Sequence, residues 1–425
     1  MNIFCRILII ACALCQAPSA AFGFCGLYVA RADGDLFNEA SKVVMVRDGR
    51  DTTITMSSDY QGEPQEFAMI VPTPQVLSRD AINTVREATL DALDAFTAPR
   101  LVEYQDDDPC NPVVMFEALA MDSAVGQVRR KSAGSFGVTV KATYAVDAYD
   151  IAILDARRSD GLVQYLHQEG YNIPDGAEDV LNDYIRGGMK FFVARVNLDR
   201  HAAGGASVLK PLQIRVQQKD MMLPIRLGMV NSRGTQDLIL MTLSRKGRIG
   251  VGNYPMHKLK TDREIPVFVR QRFAEFYTAM FDTSVDEVGG TAIVMEYAWD
   301  MGWCDPCAAD PLTNMQLAEL GVDWLREGMG QGQQDVFVTR LHARYDASFS
   351  EDLQLFETDN RENFQGRYIL REPFRGPMQC DGAPAYVKAV RKRVDTEARE
   401  LRALTGWNPR RIREEIAKTI PAKYR

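Results

Sequence analysis

The stretch Ala292-Ile-Val-Met-Glu-Tyr-Ala-Trp-Asp300 is dominated by apolar, β-branched and aromatic residues. A run of this kind and length predicts a β-strand. The loop Trp303-Cys-Asp-Pro-Cys307 follows it, and the residues after Pro311 are predicted to form a helix. Of the local patterns in this sequence, only this loop carries reaction chemistry by itself, because two cysteines separated by two residues can exchange a disulfide.

The cysteine pair Cys304 and Cys307 has two interpretations, a structural staple or a thioredoxin-like redox centre. A redox pair needs a thiolate that is stabilised by a helix N-terminus or a nearby cation. Asp310-Pro311 is a good cap followed by a first helical residue, so the helix is predicted to begin after both cysteines. The charged residues nearest to the pair are acidic and disfavour a thiolate, and they are Asp300, Asp305 and Asp310. These features favour the staple. The alternative is a periplasmic thiol–disulfide oxidoreductase with Cys304 as nucleophile and Cys307 as resolving thiol. A redox potential of about −180 to −230 mV for the pair would favour the oxidoreductase instead.

Strand patterns and tight turns recur on both sides of this loop. Asp48-Gly49 lies between two alternating runs, 42–47 and 52–57, and predicts a hairpin because glycine tolerates the positive φ of a tight turn. Further strands are predicted at 66–71, 138–146, 212–217, 223–230, 237–243, 249–251, 335–345, 353–356 and 367–370. Helices are predicted at 84–96, 161–168, 177–186 and 267–281, and in two basic segments at 387–404 and 409–420. The sequence therefore predicts an α+β fold with mostly antiparallel sheets, interspersed helices and a basic C-terminal helical pair.

The N-terminal residues 1–23 are predicted to be a cleaved signal peptide. Arg6 precedes an apolar run at 7–15 that is too short to span a bilayer, and small residues at 17–21 supply a cleavage site. Ile9-Ile-Ala-Cys12 loosely fits a lipidation box, so a lipoprotein is the alternative form. No later stretch has about 20 consecutive apolar residues. The protein is therefore expected to be periplasmic or secreted, with no membrane span.

The remaining chain divides into three predicted parts. His201-Ala-Ala-Gly-Gly-Ala206 is a candidate boundary between an N-terminal α+β half at 24–200 and a C-terminal α+β half at 207–383, which contains the cysteine loop. Residues 384–425 contain 12 Lys or Arg and 5 acidic residues, so this tail carries +7 and the rest of the chain −14. We expect the two tail helices to pack on the acidic body of the same chain, with anionic lipid as the alternative partner.

Five cysteines remain after removal of the signal peptide. In an oxidising compartment all five are disulfide candidates, namely Cys25, Cys110, Cys304, Cys307 and Cys380. Their pairing is open, because Cys304 and Cys307 bond either to each other or to partners among the other three. Five is an odd number, so at least one thiol stays free or pairs between chains.

Composition argues against several classes of function. A formal net charge of −7 on 425 residues does not suit a protein whose whole surface binds nucleic acid. No metal or cofactor is expected, because no metal-ligand spacing joins the four histidines, His167, His201, His257 and His342. Neither a Gly-x-Ser-x-Gly elbow nor a phosphate-binding loop is present. We therefore expect a non-catalytic binding protein or a structural envelope component that is stapled by disulfides. Its partner would be another envelope component or protein. Whether the chain is an enzyme stays open.

Several short blocks of this sequence resemble one family when they are taken together. They are Phe24-Cys-Gly-Leu-Tyr-Val-Ala30, Ala98-Pro-Arg-Leu-Val-Glu-Tyr104 with Asp108-Pro-Cys110, Gly170-Tyr-Asn-Ile-Pro174, Trp303-Cys-Asp-Pro-Cys307 and Asn363-Phe-Gln-Gly-Arg-Tyr368. The combination is similar to the exported bacterial family catalogued as domain of unknown function 2330. The resemblance extends over nearly the whole mature chain and implies export and a single unit. It implies no activity, since none is assigned to that family.

Overall fold

The computed structural model describes residues 27–30, 37–57, 59–61, 67–110, 139–156, 159–174, 176–203, 209–230, 234–303, 309–325, 335–346 and 348–424 of the chain. In chain order the strands are β1 Leu27–Ala30, β2 Phe37–Asp48, β3 Asp51–Met56, β4 Asp59–Gln61, β5 Phe67–Thr73, β6 Ile82–Thr84, β7 Arg100–Gln105, β8 Thr139–Val146, β9 Tyr149–Asp155, β10 Lys190–Val196, β11 Leu212–Gln217, β12 Met221–Leu223, β13 Gln236–Ser244, β14 Ile249–Val251, β15 Met256–Lys258, β16 Arg263–Glu264, β17 Ile293–Asp300, β18 Phe337–Tyr345, β19 Leu353–Glu357, β20 Phe364–Gln365 and β21 Arg367–Glu372. The α-helices are α1 Glu87–Thr97, α2 Ser159–Gln168, α3 Ala177–Arg186, α4 Leu198–Ala203, α5 Arg226–Val230, α6 Phe273–Asp286, α7 Asn314–Leu320, α8 Ala383–Thr405 and α9 Pro409–Thr419. Short 3-10 turns lie at Arg79–Ala81, Val267–Arg272 and Ala422–Tyr424.

A ten-stranded sheet forms the centre of the molecule. Its strands run in the order β15-β17-β18-β13-β2-β3-β11-β6, with β20 paired to β17 and β4 paired to β2. The pairs β13–β2 and β15–β17 are parallel, and the other pairs in this sheet are antiparallel. Strands from both sides of residues 201–206 alternate in this sheet. The division into an N-terminal and a C-terminal half stays a prediction.

The hairpin of β2 and β3 shows how local sequence fixes register. Gly49 has φ +61°, a left-handed conformation that glycine adopts without a steric penalty. The turn sets Asp48 opposite Asp51, and Val43 consequently lies opposite Met56. Because side chains alternate along a strand, this register sends Val43 and Met45 to one face and Val44 and Val46 to the other. All four are buried, so β2 is covered on both faces.

A second sheet of five strands packs against one face of the first. Its order is β1-β5-β10-β9-β8, and its pairs are all antiparallel. The apolar core between the two sheets includes Met45 and Ile54 from the large sheet, and Met69 and Phe192 from the small one. Burying side chains of this size contributes about 1.5–3 kcal/mol each. The outer face of the small sheet is covered by α2 and α3 over part of its area only.

Helices cover the other face of the ten-stranded sheet. α1 and α7 bury Leu93 and Leu317 against it, and α6 buries Met280 and Phe281. The C-terminal helices α8 and α9 pack on the far side of α6 through Val390, Leu401 and other apolar residues. The predicted α+β fold with mostly antiparallel sheets and a basic C-terminal helical pair is therefore confirmed.

The inner side of α8 contacts acidic side chains of the same chain. Arg393 donates two hydrogen bonds to the carboxylate of Asp106, of 3.1 Å and 2.7 Å, and Tyr386 donates a third of 2.7 Å. A disulfide between Cys110 and Cys380 joins the loop after β7 to the residues just before α8, with a Cα–Cα distance of 5.6 Å. The tail is thus held by charge, by apolar contacts and by a covalent bond.

Several predicted elements differ from the structure, among them the helix predicted at 267–281, which is a 3-10 turn at Val267–Arg272 followed by α6. The strand predicted at 223–230 is wrong, because β12 ends at Leu223 and α5 begins at Arg226. Asp352 accepts hydrogen bonds from the backbone of Ile225 and Arg226, so a distant residue satisfies the start of this helix. The helix predicted to begin at Pro311 begins at Asn314 instead, capped by Thr313 in a capping box with Gln316.

Candidate functional site

A groove of about 410 Å³ opens on the outer face of the five-stranded sheet, beside the C-terminal end of α2. Successive strand residues point to opposite faces, so β8, β9 and β10 each supply alternate residues to it. The floor contains small side chains from Thr143, Ala145 and Ala152, with Val193 beside them. The walls come from α2 and the turn after it, and they consist of Tyr165, Leu166, Glu169 and Tyr171. Small floor residues between tyrosine walls leave room for a ligand.

The end of α2 places the tyrosine walls. Gly170 has φ +86°, and the backbone N–H of Tyr171 donates to the carbonyl of Leu166 across 2.9 Å. This is the hydrogen bond of a Schellman C-cap, which ends a helix and turns the chain back over its last turn. Tyr171 is therefore brought to the same groove as Tyr165.

Both signs of charge lie along the groove. Asp150 accepts hydrogen bonds from Asn197 at 3.0 Å and Arg200 at 2.5 Å, and Arg195 lies 3.6 Å from it. Burial opposes the charge on Asp150, but the bonds from Asn197 and Arg200 outweigh it and hold the pKa of that carboxyl below its ordinary value.

Tyr165 lies within the electrostatic reach of two oppositely charged side chains. Burial raises the pKa of the Tyr165 hydroxyl, the negative charge of Glu169 raises it further, and Arg195 opposes both effects. The groove therefore presents an aromatic surface together with one acidic group, Glu169, and one cationic group, Arg195. Its volume falls in the range of about 300–1,000 Å³ that is usual for small-molecule sites.

A second cluster of charged side chains lies in the interior, between the ten-stranded sheet and the helices α1 and α6. Residues 340, 342 and 344 of β18 face the helices, whereas Leu341 and Ala343 face the apolar core between the sheets. Carboxylates and cations alternate along the cluster, in the order Lys42, Asp94, Arg340, Glu296, His342, Asp237, Arg344 and Asp282. We call these eight residues the charge network. Four carry negative charge, and the other four carry positive charge when His342 is protonated.

Glu296 is the centre of the charge network. It lies in a β-bulge of β17, because Met295 pairs with Leu341 while Tyr297 pairs with the preceding residue of β18. A bulge inserts one extra residue and redirects a side chain. The Glu296 carboxylate accepts hydrogen bonds from Arg340 Nε at 2.7 Å, His342 Nδ1 at 3.0 Å and the Tyr277 hydroxyl at 2.6 Å.

The charge network is closed to solvent in the middle and open at both ends. Glu296 is 0% exposed and His342 is 1% exposed, and the ring of Phe281 stacks on the imidazole with a centroid distance of 3.5 Å. The side chains of Lys42 and Asp282 at the two ends are 31% and 47% exposed. A substrate therefore cannot reach Glu296 or His342 in this conformation.

The charge network makes stability depend on pH. Burial opposes ionisation of Glu296, but His342 and Arg340 outweigh it and lower its pKa from 4.5 to about 2. Burial also opposes protonation of His342, but Glu296 and Asp237 outweigh it and raise its pKa above 6.5. The Glu296 contribution is complete above pH 4.5 and is lost as pH falls toward 2, and the His342 contribution is complete below pH 6.5 and is lost as pH rises through the raised pKa.

We therefore expect the free energy of unfolding to be highest between about pH 4.5 and 6.5 and to fall on both sides. Urea unfolding measured from well below pH 4.5 to well above pH 6.5 checks the expectation. In His342→Gln the decrease on the alkaline side should disappear, whereas the exposed control His167→Gln should retain it. Equal alkaline decreases in both variants would show that another group is responsible.

The predicted cysteine sites are only partly within the described residues. Cys110 and Cys380 are joined to each other. Cys25, Cys304 and Cys307 lie outside the described residues, so the choice between a staple and a redox pair stays a prediction. Next to the loop, Asp300 accepts a hydrogen bond of 2.6 Å from Arg361, which offsets one of the acidic charges that the sequence placed there.

Sequence reasoning named neither the groove nor the charge network. Within the described residues, no group of three or more His, Cys, Asp or Glu side chains is arranged to hold a metal ion. None of the described helices combines the length and the apolar character needed to cross a bilayer. The one signal that points to the charge network is the alternation Arg340-Leu-His-Ala-Arg344, which places three polar side chains on one face of a strand.

Fold and site together define an α+β protein with a mixed central sheet, a buried charge network and an open groove. The chain belongs to the bacterial family DUF2330, described as "Uncharacterized protein conserved in bacteria", whose model matches residues 18–356. The predicted membership is confirmed. The segment 357–425, which contains α8 and α9, lies outside the match. No curated protein and no solved structure matches the chain.

Proposed function

We propose that the protein is an exported, non-catalytic binding protein of the bacterial envelope that holds a small solute in the groove. The observation that carries the proposal is the groove itself, an opening of about 410 Å³ with a floor of small side chains, tyrosine walls and charges of both signs. Concave sites with apolar surface and a few placed polar groups are where proteins bind small molecules.

The lining selects for a class of ligand. Arg195 is a cation whose carboxylate neighbour Asp150 is 3.6 Å away and already accepts hydrogen bonds from two other residues. A ligand carboxylate can therefore bind the Arg195 guanidinium. The negative charge of Glu169 beside the groove attracts a ligand ammonium group, and an apolar side chain of the ligand can pack on Tyr165. These three contacts fit a small zwitterion, such as a free amino acid or a dipeptide.

The test is titration calorimetry of the purified protein with free amino acids and dipeptides. Ala152→Phe places an aromatic ring in the groove floor, and we expect it to weaken binding at least tenfold by filling the space. Ala385→Phe adds the same group at an exposed position of α8 and should leave affinity unchanged. Binding by none of these probes, or equal affinity in the two variants, would contradict the proposal.

Export is part of the same proposal. It is supported by the signal-peptide features of residues 1–23 and by the disulfide between Cys110 and Cys380, since disulfides persist in oxidising compartments and are rare in the cytosol. The disulfide also supports the view that staples hold this protein together.

A further inference from the structure

One face of α8 carries five exposed cations. They are Lys388, Arg391, Lys392, Arg399 and Arg402. At 100° per residue these positions fall within an arc of about 100° and extend over about 21 Å of helix. We call them the basic stripe. Asp395 is the only acidic residue within the same arc.

The basic stripe differs from the inner side of the same helix. Arg393 faces inward and forms ion pairs with Asp106 and Glu397. Within the described part of the chain, by contrast, no stripe residue forms an ion pair with a carboxylate. Arg391 and Arg399 donate their Nε–H groups to backbone carbonyls of Lys423 and Asp395, and both keep their charge. The five stripe side chains therefore take no part in the ion pairs that hold the tail on the body.

The charge distribution of the chain gives the basic stripe a preferred orientation. Residues 384–425 carry +7, whereas the rest of the chain carries −14. An anionic surface attracts the tail and repels the body, so the molecule turns the outer side of α8 toward it. None of the exposed large apolar side chains among the described residues lies on α8 or α9. The contact is therefore electrostatic, without the apolar insertion of an interfacial amphipathic helix.

We infer that the basic stripe docks the protein onto the anionic headgroups of a lipid bilayer. A straight row of charges matches a flat surface of uniform negative charge, where each lysine or arginine contributes independently of a particular partner geometry. A stable acidic protein partner would require a central anchor of buried aromatic or apolar side chains, which the basic stripe lacks. This inference concerns α8 alone and does not depend on the groove.

The test is sedimentation of the purified protein with vesicles. We expect binding to vesicles of phosphatidylglycerol and phosphatidylcholine in equal parts and none to vesicles of phosphatidylcholine alone. Replacing all five stripe residues by glutamine, which preserves helix propensity, should weaken binding at least a hundredfold, since each cation contributes about a fivefold factor near an anionic surface. High salt should have the same effect, because the Debye length falls from about 8 Å at physiological ionic strength to about 3 Å at 1 M.

The control variant replaces five exposed cations of the body by glutamine, namely Arg50, Arg186, Lys219, Lys246 and Lys258. It changes net charge equally and should retain vesicle binding. Circular dichroism and melting temperature show whether both variants are folded. Equal loss of binding in both variants would mean that vesicle binding depends on net charge alone, and this would overturn the inference. Binding to soluble polyglutamate but not to the vesicles would overturn it as well, in favour of an acidic protein partner.

Discussion

Replacing Glu296 by alanine is expected to lower the free energy of unfolding by about 3–5 kcal/mol. The carboxylate accepts hydrogen bonds from Arg340, His342 and Tyr277, all within 3.0 Å. Without it, the guanidinium of Arg340 keeps only Asp94 as a charged partner, in a site where the guanidinium side chain is 6% exposed. An uncompensated buried charge is among the most destabilising changes that a single substitution makes. Urea denaturation at pH 6 measures the effect.

The control for this prediction is Asp91→Asn at the open end of the charge network. Asp91 is 57% exposed and pairs with Lys42 at 3.1 Å, so its loss should change stability by about 1 kcal/mol or less. A double-mutant cycle of Glu296→Ala with Arg340→Ala should give a coupling energy of about 0.5–3 kcal/mol, because the second deletion removes the buried cation that loses one of its two carboxylate partners in the first. A cost for Glu296→Ala as small as that for Asp91→Asn would contradict a structural role for the charge network.

Replacing Cys110 by serine is expected to lower the free energy of unfolding by up to about 5 kcal/mol. The disulfide to Cys380 joins positions that are 270 residues apart, and closing so long a loop removes much of the conformational entropy of the unfolded chain. In the folded protein the same bond fixes the start of α8 beside the loop after β7. Thermal unfolding of Cys110→Ser and of the wild-type protein, both under oxidising conditions, measures the contribution.

The pairing itself supplies the control. Cys110→Ser, Cys380→Ser and the double variant should have the same stability, because each removes the same bond. Additive losses in the double variant would mean that the two sulfurs act separately. Deleting residues 1–23 should leave the protein in the cytoplasm with both thiols free, whereas the full-length chain should be recovered oxidised from the envelope. Oxidised protein in the cytoplasm would count against export.

Local sequence signals were sufficient to predict secondary structure where a few adjacent residues decide the backbone conformation. Asp48-Gly49 predicted the β2–β3 hairpin because the turn needs a positive φ, and Gly49 has one. Gly406 and Asn408 predicted the end of α8 and the start of α9, and the structure has φ +65° at Gly406 and an Asn408 cap. The run at 223–230 failed because a short apolar segment fits a strand or a helix equally well, and the deciding contact comes from Asp352.

Neither site could be assembled from sequence alone. The alternating residues 340–344 predict a strand with one polar face, and such a face is ordinarily exposed to water. It is buried here because α1 supplies Asp94 to Arg340 across a separation of 246 residues and α6 supplies Tyr277 to His342. The groove similarly combines Asp150 and Arg195 of the sheet with Tyr165 of α2. No spacing of residues along the chain predicts contacts of this kind.

The parallel pairing of β2 with β13 has a consequence for biogenesis. Strand β2 ends at residue 48 and β13 begins at residue 236, so the neighbour of β2 is made 188 residues later. At about 5–20 residues per second, a ribosome takes about 10 to 40 s to supply it. During that time β2 has an apolar edge that invites association with other nascent chains. A holdase that shields β2 until β13 is available, during synthesis or after export, would therefore raise the yield of this protein.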